Sequence, residues 1–380
     1  MQHIDPRIAG AVLTIDLAAI TANYRLIAAK VTPARVAAVV KADAYGLGAA
    51  AVSTVLAEAG CRDFFVAQLS EAIDLGPALP RDARLYVLNG LQPGAEAVCA
   101  GIGAIPVLNA LHQVERWSAL ARASGRRLPA VLQVDSGMSR LGLPPTEVDA
   151  LASAPDRLDG IDLRLIISHL ACADDGEASA NDAQTRAFAA ITARFPGVPR
   201  SLDNSGGAFL PRADHFDLVR AGIALYGGAP RLGHPNMMRP VVSLHARIVQ
   251  VREIAAGTGV GYGLTSIGDH PRRIATIAVG YADGWPRHLG NRGAAFIGGI
   301  RVPIAGRVSM DSITLDVTGV PDAALLPGAP VELLGPNQGI DDVAADAGTI
   351  SYEILTRLGH RYARDYRPAS AVEPQRSAIP

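Results

Sequence analysis

Lys41 directly follows the apolar run Val36–Val40 and precedes a stretch of small residues, Ala42-Asp-Ala-Tyr-Gly-Leu-Gly48. Burial there would lower the lysine pKa and leave a neutral amine, a nucleophile for carbonyl carbon. Other polar residues stand in the same relation to short apolar runs. Arg140 follows Ala130–Val134, His169 ends Arg164–Ser168, Asn204 and Ser205 end Pro199–Asp203, and Arg220 lies in Asp217–Ala221. Each has an ordinary reading alone: a solvated lysine, a hydrogen-bonded core histidine, an Arg220–Asp217 ion pair, a Ser205-Gly206-Gly207 turn. Their common placement at the ends of successive runs points instead to one chemical site.

Those runs belong to a longer alternation. Val36–Val40, Asp63–Ala67, Arg84–Leu88, Ala104–Leu108, Ala130–Val134, Arg164–Ser168, Pro199–Asp203 and Asp217–Ala221 read as strands, mostly as continuous apolar runs. That is the pattern of parallel strands buried on both faces. Helical patterns lie between them, including Asn109–Leu120, with Asn109 as its N-cap, and Asn181–Phe195. Eight β/α alternations predict an α/β fold with an N-terminal (β/α)8 barrel, an open doubly wound sheet being the alternative. In a barrel, the C-terminal strand ends form the functional mouth, and the loops after the last two strands commonly bind phosphate. Ser205-Gly206-Gly207 and Arg220-Ala221-Gly222 occupy those loops. A lysine beside a phosphate cradle fits pyridoxal 5′-phosphate (PLP), whose aldehyde needs an amine and whose phosphate needs donors.

The texture changes after about Pro240. Ser312–Thr318 alternates polar and apolar residues with period two, and Val241–Val251, Arg273–Val279 and Val331–Leu334 also read as strands. Helices are expected at Ile340–Ala347, opened by a solvated Asp341-Asp342, and at Tyr352–Leu358. The Gly- and Pro-rich segment Gly227–Pro240 marks the boundary. The expected domains are therefore a PLP-binding barrel over 11–236 and a C-terminal mostly-β domain over 237–380, with residues 1–10 packing alongside the latter. No internal repeat or low-complexity linker interrupts them.

Composition excludes several classes of partner. The 35 basic and 36 acidic side chains give a net charge of -1 with no charge block, so neither nucleic acid nor an anionic membrane surface has a footprint. No apolar run reaches the ~18 residues that span a bilayer, and the N-terminus lacks the pattern of a signal peptide. The three cysteines, Cys61, Cys99 and Cys172, are widely spaced and fit free thiols in a cytoplasmic protein. The nine histidines show no H-x-x-x-H or H-x-H pairing, so no metal site is expected. Gly257–Gly263 resembles a dinucleotide loop only in glycine content and misses its register.

With these residues in place, the chain resembles the alanine racemase family along nearly its whole length. Val39-Val-Lys-Ala-Asp-Ala-Tyr-Gly46 looks like the family's PLP-lysine motif, and Val134-Asp-Ser-Gly-Met-Ser-Arg140-Leu-Gly like its arginine motif. Ser168–Ala171, Asn204-Ser205, Val219–Gly227, Gly280–Gly284, Gly306–Asp311 and Thr349–Glu353 continue in the family's order. The resemblance implies a barrel plus a β domain, working as a homodimer with shared active sites. It implies that Lys41 carries the cofactor, and that Tyr45, Ser205, Tyr352 and the backbone of Gly222 and Ile223 hold its phosphate. Asn204 belongs to the same cofactor site, Arg220 meets the pyridine nitrogen, and His169 supports Arg220. Arg140 and the Met310 N–H, the latter from the partner, position the substrate carboxylate. Lys41 and the partner's Tyr281 are the two bases acting on opposite faces of alanine.

The implied activity is interconversion of L- and D-alanine, supplying D-alanine for peptidoglycan or degrading it. A broad-specificity racemase or a related PLP-dependent decarboxylase is the alternative. Tyrosine is a poor base at neutral pH, so Arg220 and His169 are expected to stabilise its phenolate. Three departures stand out. Gln133 occupies a position where many members have a lysine that can be carbamylated, so an anion such as chloride or a plain amide hydrogen bond is expected to orient Arg140. Ser139 replaces a more usual glycine. Trp285 stands where tyrosine is common and is assigned, with Tyr262, Arg307 and Asp174, to the site entrance.

Overall fold

The computed structural model describes residues 4–211 and 214–368. They form two compact units, one of residues 23–238 and one of residues 4–22 with 239–368. The strands in chain order are β1 (Ala11–Asp16), β2 (Arg35–Val39), β3 (Asp63–Val66), β4 (Arg84–Val87), β5 (Ile105–Leu108), β6 (Leu128–Gln133), β7 (Ile161–Ile167), β8 (Arg200–Ser201) and β9 (Leu218–Ala221). They continue with β10 (Val242–Ile254), β11 (Gly259–Val260), β12 (Ser266–Ile267), β13 (Arg272–Ile277), β14 (Ala294–Ile297), β15 (Ile300–Pro303), β16 (Ile313–Asp316), β17 (Pro330–Leu334) and β18 (Ala363–Arg367).

Residues 23–238 carry eight parallel strands in the order β8-β7-β6-β5-β4-β3-β2-β9. The terminal strands meet through Asp217 N–H to Arg200 O at 3.0 Å and Arg220 N–H to Asp203 O at 2.9 Å, which brings the sheet round into a barrel. All eight expected strands are present. β3 is buried at every position, and β2 at every position after Arg35, which accounts for the apolar run of β2 after Arg35 and of β3 after Asp63. The helix between β5 and β6 runs from Leu111 to Ser124. Asn109 is not its N-cap: its amide donates to Leu88 O and Val107 O at 3.0 and 3.1 Å, so it ties two strand ends together instead.

The second unit is mostly β. One sheet runs β15-β14-β17-β10-β1-β18, with β13 pairing β10 and β16. β10 buries Val242, Leu244, Ala246 and Ile248 in alternation, as one sheet face against a core requires. The alternating segment around Ile313 forms β16, with Ile313 and Leu315 buried. β1 lies antiparallel to β10 and parallel to β18, so residues 11–22 belong to this unit and the barrel unit begins at Asn23 rather than at 11. The other division, between Met238 and Arg239, falls within Gly227–Pro240. Trp285 is 1% exposed, a core side chain and not a residue lining an entrance. Asp341 and Asp342 open the helix Ile340–Ala347 as expected, with Asp342 exposed to solvent while it accepts the Gly339 N–H at 2.8 Å, and Asp341 half-buried and bonded to Ser351. Among the described residues, no helix is long and apolar enough to cross a membrane.

The N-terminal ends of the barrel strands carry a charge cluster far from the lysine in chain direction. Asp63, 2% exposed, receives Arg35 Nη1 at 2.7 Å, Arg84 Nε and Nη2 at 2.6 and 2.8 Å, and the Tyr86 hydroxyl at 2.9 Å. The arginines are half exposed and can turn to water when the acceptor is removed, whereas the buried Tyr86 hydroxyl cannot. Asp63→Ala is therefore expected to destabilise the barrel by about 2 kcal/mol, mainly through that orphaned hydroxyl. The check is the urea midpoint, with KM for substrate unchanged.

Candidate active site

Lys41 leaves β2 in an unusual backbone. Ala42, Asp43, Ala44 and Tyr45 all have φ between 52° and 56°, so one left-handed helical turn follows the lysine. Side chains on a left-handed turn cost about 1 kcal/mol or more per residue, so the turn needs external partners. Glu71 supplies one by accepting the Ala42 N–H, while its other oxygen takes the N–H groups of Ala67 and Gln68 at 2.7 and 2.9 Å. Asp43 supplies another, its Oδ1 accepting Ala49 N–H at 2.7 Å and its carbonyl accepting Gly48 N–H at 2.9 Å.

Around this turn, the barrel unit gathers the residues singled out at the strand ends. Arg220, 4% exposed on β9, donates Nη1 to Ser201 O and Oγ at 2.8 and 2.6 Å, and Nη2 to Ser168 O, Leu202 O and His169 Nδ1. It has no Asp217 partner. Asp217 instead accepts the Arg200 N–H at 2.7 Å, and the buried guanidinium is satisfied by carbonyls. Arginine is only a donor, so His169 Nδ1 is the acceptor and Nε2 carries the proton. Asn204 Nδ2, 3.4 Å from that Nε2, is then a neighbour rather than its hydrogen-bond partner. Asn204 binds backbone: it takes Gly207 N–H at 3.0 Å and donates to Leu170 O at 3.3 Å.

Ser205 is buried, and its Oγ accepts the N–H groups of Gly222 and Ala224 at 2.9 and 3.3 Å. Its own hydrogen is thus left to donate. Gly222 is required here: a Cβ would stand 2.4 Å from the Tyr45 hydroxyl. Tyr45 packs on Tyr226 at 4.6 Å between ring centroids, and Tyr226 is fixed by donating to Val39 O at 2.9 Å. Ile223 opens a short 3-10 turn, and its N–H has no acceptor among the described residues. Ser205, Tyr45 and Ile223 are thus gathered around Gly222.

Arg140 sits on an exposed loop shaped by Asp135, whose Oδ1 accepts the N–H groups of Gly137, Met138 and Ser139 at 2.8, 3.0 and 3.1 Å. Ser139 takes φ of 56°, which a glycine would adopt more easily. The buried Gln133 amide donates to Leu141 O at 3.4 Å, so an amide contact reaches the Arg140 loop from β6.

The electrostatics follow from the burial of Arg220, and the partial burial of His169 and Lys41, close to the exposed Arg140. Burial, then Arg140 and Arg220, hold the Lys41 pKa below that of an ordinary lysine, with Glu71 opposing them. Burial, then Arg220, Arg140 and Lys41, push His169 down to about 3. Burial lowers Arg220 to about 10, still charged at neutral pH. His169 is thus neutral at neutral pH, and Arg220 carries a buried positive charge beside it.

The remaining predicted residues lie in the β unit. Tyr281 and Met310 are adjacent there: Tyr281 N–H bonds Ser309 O at 3.0 Å, and Ala282 N–H bonds Met310 O at 2.9 Å. Both side chains are exposed, as is Tyr352 on the helix Ser351–Arg357.

Both units match sequence models of one family, the alanine racemase N-terminal domain over residues 15–230 and its C-terminal domain over residues 241–366. The chain belongs to the alanine racemase family. It is 56% identical over 371 residues to an alanine racemase of Brucella canis, covering 94% of each protein. It is 52% identical over 354 residues to a catabolic alanine racemase of Agrobacterium fabrum, covering 93% of this chain and 91% of that protein. A crystal structure of alanine racemase from Bartonella henselae with covalently bound pyridoxal phosphate aligns with a TM-score of 0.91 at 45% identity, covering 94% of this chain and 100% of that one.

Sequence reasoning missed Glu71, Asp135, Ser201 and Tyr226. Glu71 carried a signal, since Gln68-x-x-Glu71 has capping-box spacing ahead of the helix Leu69–Leu75. Asp135 carried a turn signal too, in Asp135-Ser-Gly137, whereas Ser201 and Tyr226 act through contacts distant in the chain and left no local mark.

His169 yields a pH test. An unfolded histidine titrates near 6.5, while the folded one titrates near 3. Between those values the unfolded chain holds the extra proton, so stability falls as pH drops through the window. Replacing His169 with Asn is expected to flatten the pH dependence of unfolding by about one proton, read as urea midpoints between roughly pH 6.5 and 4.5.

Proposed function

We propose that this chain racemises alanine, with PLP bound on Lys41 and with Tyr281 and Met310 supplied to each site by the partner in a homodimer. Lys41 carries the reading: a half-buried amine at the mouth of the barrel, biased toward its neutral form, in a chain 56% identical to alanine racemases. The residues present fit the cofactor. The Ser205 hydroxyl, Tyr45 hydroxyl and Ile223 N–H would take its phosphate, joined by Gly222 and Tyr352. Bound there, PLP supplies the electron sink that makes the Cα hydrogen of alanine acidic.

This chain's own groups do the rest. Arg220 would hold the ring nitrogen by donating to it, and a guanidinium does not give up its proton, so that nitrogen stays unprotonated. His169 and Asn204 hold Arg220 and the loops around it. Arg140 and the Met310 N–H orient the substrate carboxylate. Lys41, its amine biased toward the neutral form, would remove or return a proton on one face of Cα. The partner's Tyr281 does the same on the other. The β unit exposes Tyr262, Leu264, Ile267 and Met310, apolar surface of the kind a subunit interface covers. The reaction takes place in the cytoplasm and supplies D-alanine for peptidoglycan or feeds its degradation.

Two measurements test this. Chiral chromatography of PLP-loaded protein incubated with L-amino acids should give D-alanine, lost in Lys41→Ala. Several D-products would mean a broad racemase, and release of carbon dioxide a decarboxylase. Tyr281→Phe should keep the bound cofactor but lose about 10²–10⁴-fold in racemisation. Mixing Lys41→Ala with Tyr281→Phe subunits should then restore about a quarter of wild-type activity, because half the sites in each mixed dimer are intact. No restoration would remove the shared-site homodimer.

A further inference from the structure

We propose that Arg361 is the positioning residue that fixes Tyr281 and Met310 to one another. This rests on the roles given to those two residues above. Tyr281 opens a tight turn, Tyr281–Asp283, and Met310 lies on a separate loop. Each is exposed and would otherwise be held by backbone contacts alone.

The turn is built around Asp283, which is 4% exposed. Its Oδ2 accepts the Gly280 N–H at 2.8 Å and its carbonyl accepts the Gly359 N–H at 2.9 Å. Arg361 grips the same carboxylate with both prongs, Nε to Oδ1 at 2.6 Å and Nη2 to Oδ2 at 2.8 Å. Its remaining nitrogen, Nη1, reaches Asp311 Oδ1 at 2.7 Å, and Asp311 is the residue after Met310. One guanidinium therefore spans the turn of the proton-transfer tyrosine and the loop of the carboxylate-binding amide. A planar fork with fixed angles suits this; a lysine has only a point charge.

The neighbouring backbone is built for the same close approach. A Cβ on Gly280 would fall 2.3 Å from Met310 O, and one on Gly284 would fall 1.7 Å from Arg357 O. The turn is pressed against the Met310 loop and against the end of the helix Ser351–Arg357, and has no freedom to slide if its register is kept. Arg361 is about half exposed and Asp311 more so, so the Asp311 arm adds little to stability. What it adds is geometry, and charge: Arg361 offsets two carboxylates flanking an amide that must accept an anionic substrate.

The test compares Arg361→Met, Arg361→Lys and Asp311→Asn as holoenzymes in D2O, each started from a single alanine enantiomer. Misplacing Tyr281 slows delivery to its face but leaves Lys41 able to exchange the Cα hydrogen on the other. The ratio of exchange without inversion to inversion should rise for the enantiomer whose hydrogen faces Lys41, and not for the other. In Arg361→Met, kcat should fall about 10-fold or more and KM for alanine should rise, with Arg361→Lys intermediate. Independently of turnover, amide exchange should quicken in segments 280–284 and 309–311 of Arg361→Met and stay unchanged in β13. Asp311→Asn should show the same direction more weakly. Equal losses of exchange and inversion for both enantiomers, with those two segments as protected as in wild type, would overturn the proposal and leave Arg361 as support for the fold. Failure of the two-base reading itself would be separate, since Tyr281→Phe would then retain inversion whatever Arg361 does.

Discussion

Positive charge held out of water without a carboxylate partner is the constraint on which the site depends. Arg220 is almost fully buried and is satisfied by carbonyls of Ser168, Ser201 and Leu202 and by the ring of His169. With Arg140, it adds a repulsive field that disfavours further positive charge. His169 responds by staying neutral, and Lys41 by titrating below the ordinary lysine range. A cation cluster of this kind favours an anion, and Ser205, Tyr45 and Ile223 gather around Gly222 beside it. The chemistry assigned to Lys41 is thus prepared first by its own burial and then by its neighbours' charge.

The scaffold separates that demand from the demands of folding. Asp63 and its arginines lie at the N-terminal ends of β2, β3 and β4, where a paired charge cluster can serve cohesion. The unpaired cations lie at the opposite ends, where chain leaves the sheet and side chains can be reached. In the β unit the same division recurs on a smaller scale: buried apolar alternation along β10, and at one loop cluster an exposed tyrosine and methionine held by backbone and by Arg361.

Much of this was legible in the sequence because strands, period and motif order are local. Continuous apolar runs located β2 to β9, and alternation located β16. The position of Lys41 directly after a run pointed to the barrel mouth. What could not be read was set by contacts distant in the chain. β1 precedes the barrel but pairs with β10 and β18. Asn109 had the residue type of a cap, yet two strand-end carbonyls claimed its amide. Trp285 neighbours the tyrosine motif and still turned into the core. Asp217 was the nearest acid to Arg220 in sequence, but successive strand residues point to opposite faces and Asp217 turned toward Arg200. The amide of Gln133 donates to the carbonyl of Leu141, the residue after Arg140.

The left-handed turn after Lys41 bears on how this sequence can drift. Positive φ at Ala42, Asp43, Ala44 and Tyr45 makes branched side chains outliers at four successive places, whatever space surrounds them. The alphabet available to inheritance beside the lysine is therefore narrow for a backbone reason, before any demand of chemistry is made. Neutral variation can accumulate on the outer helices while this short segment stays nearly fixed, and a lineage that changed its substrate would still carry the turn.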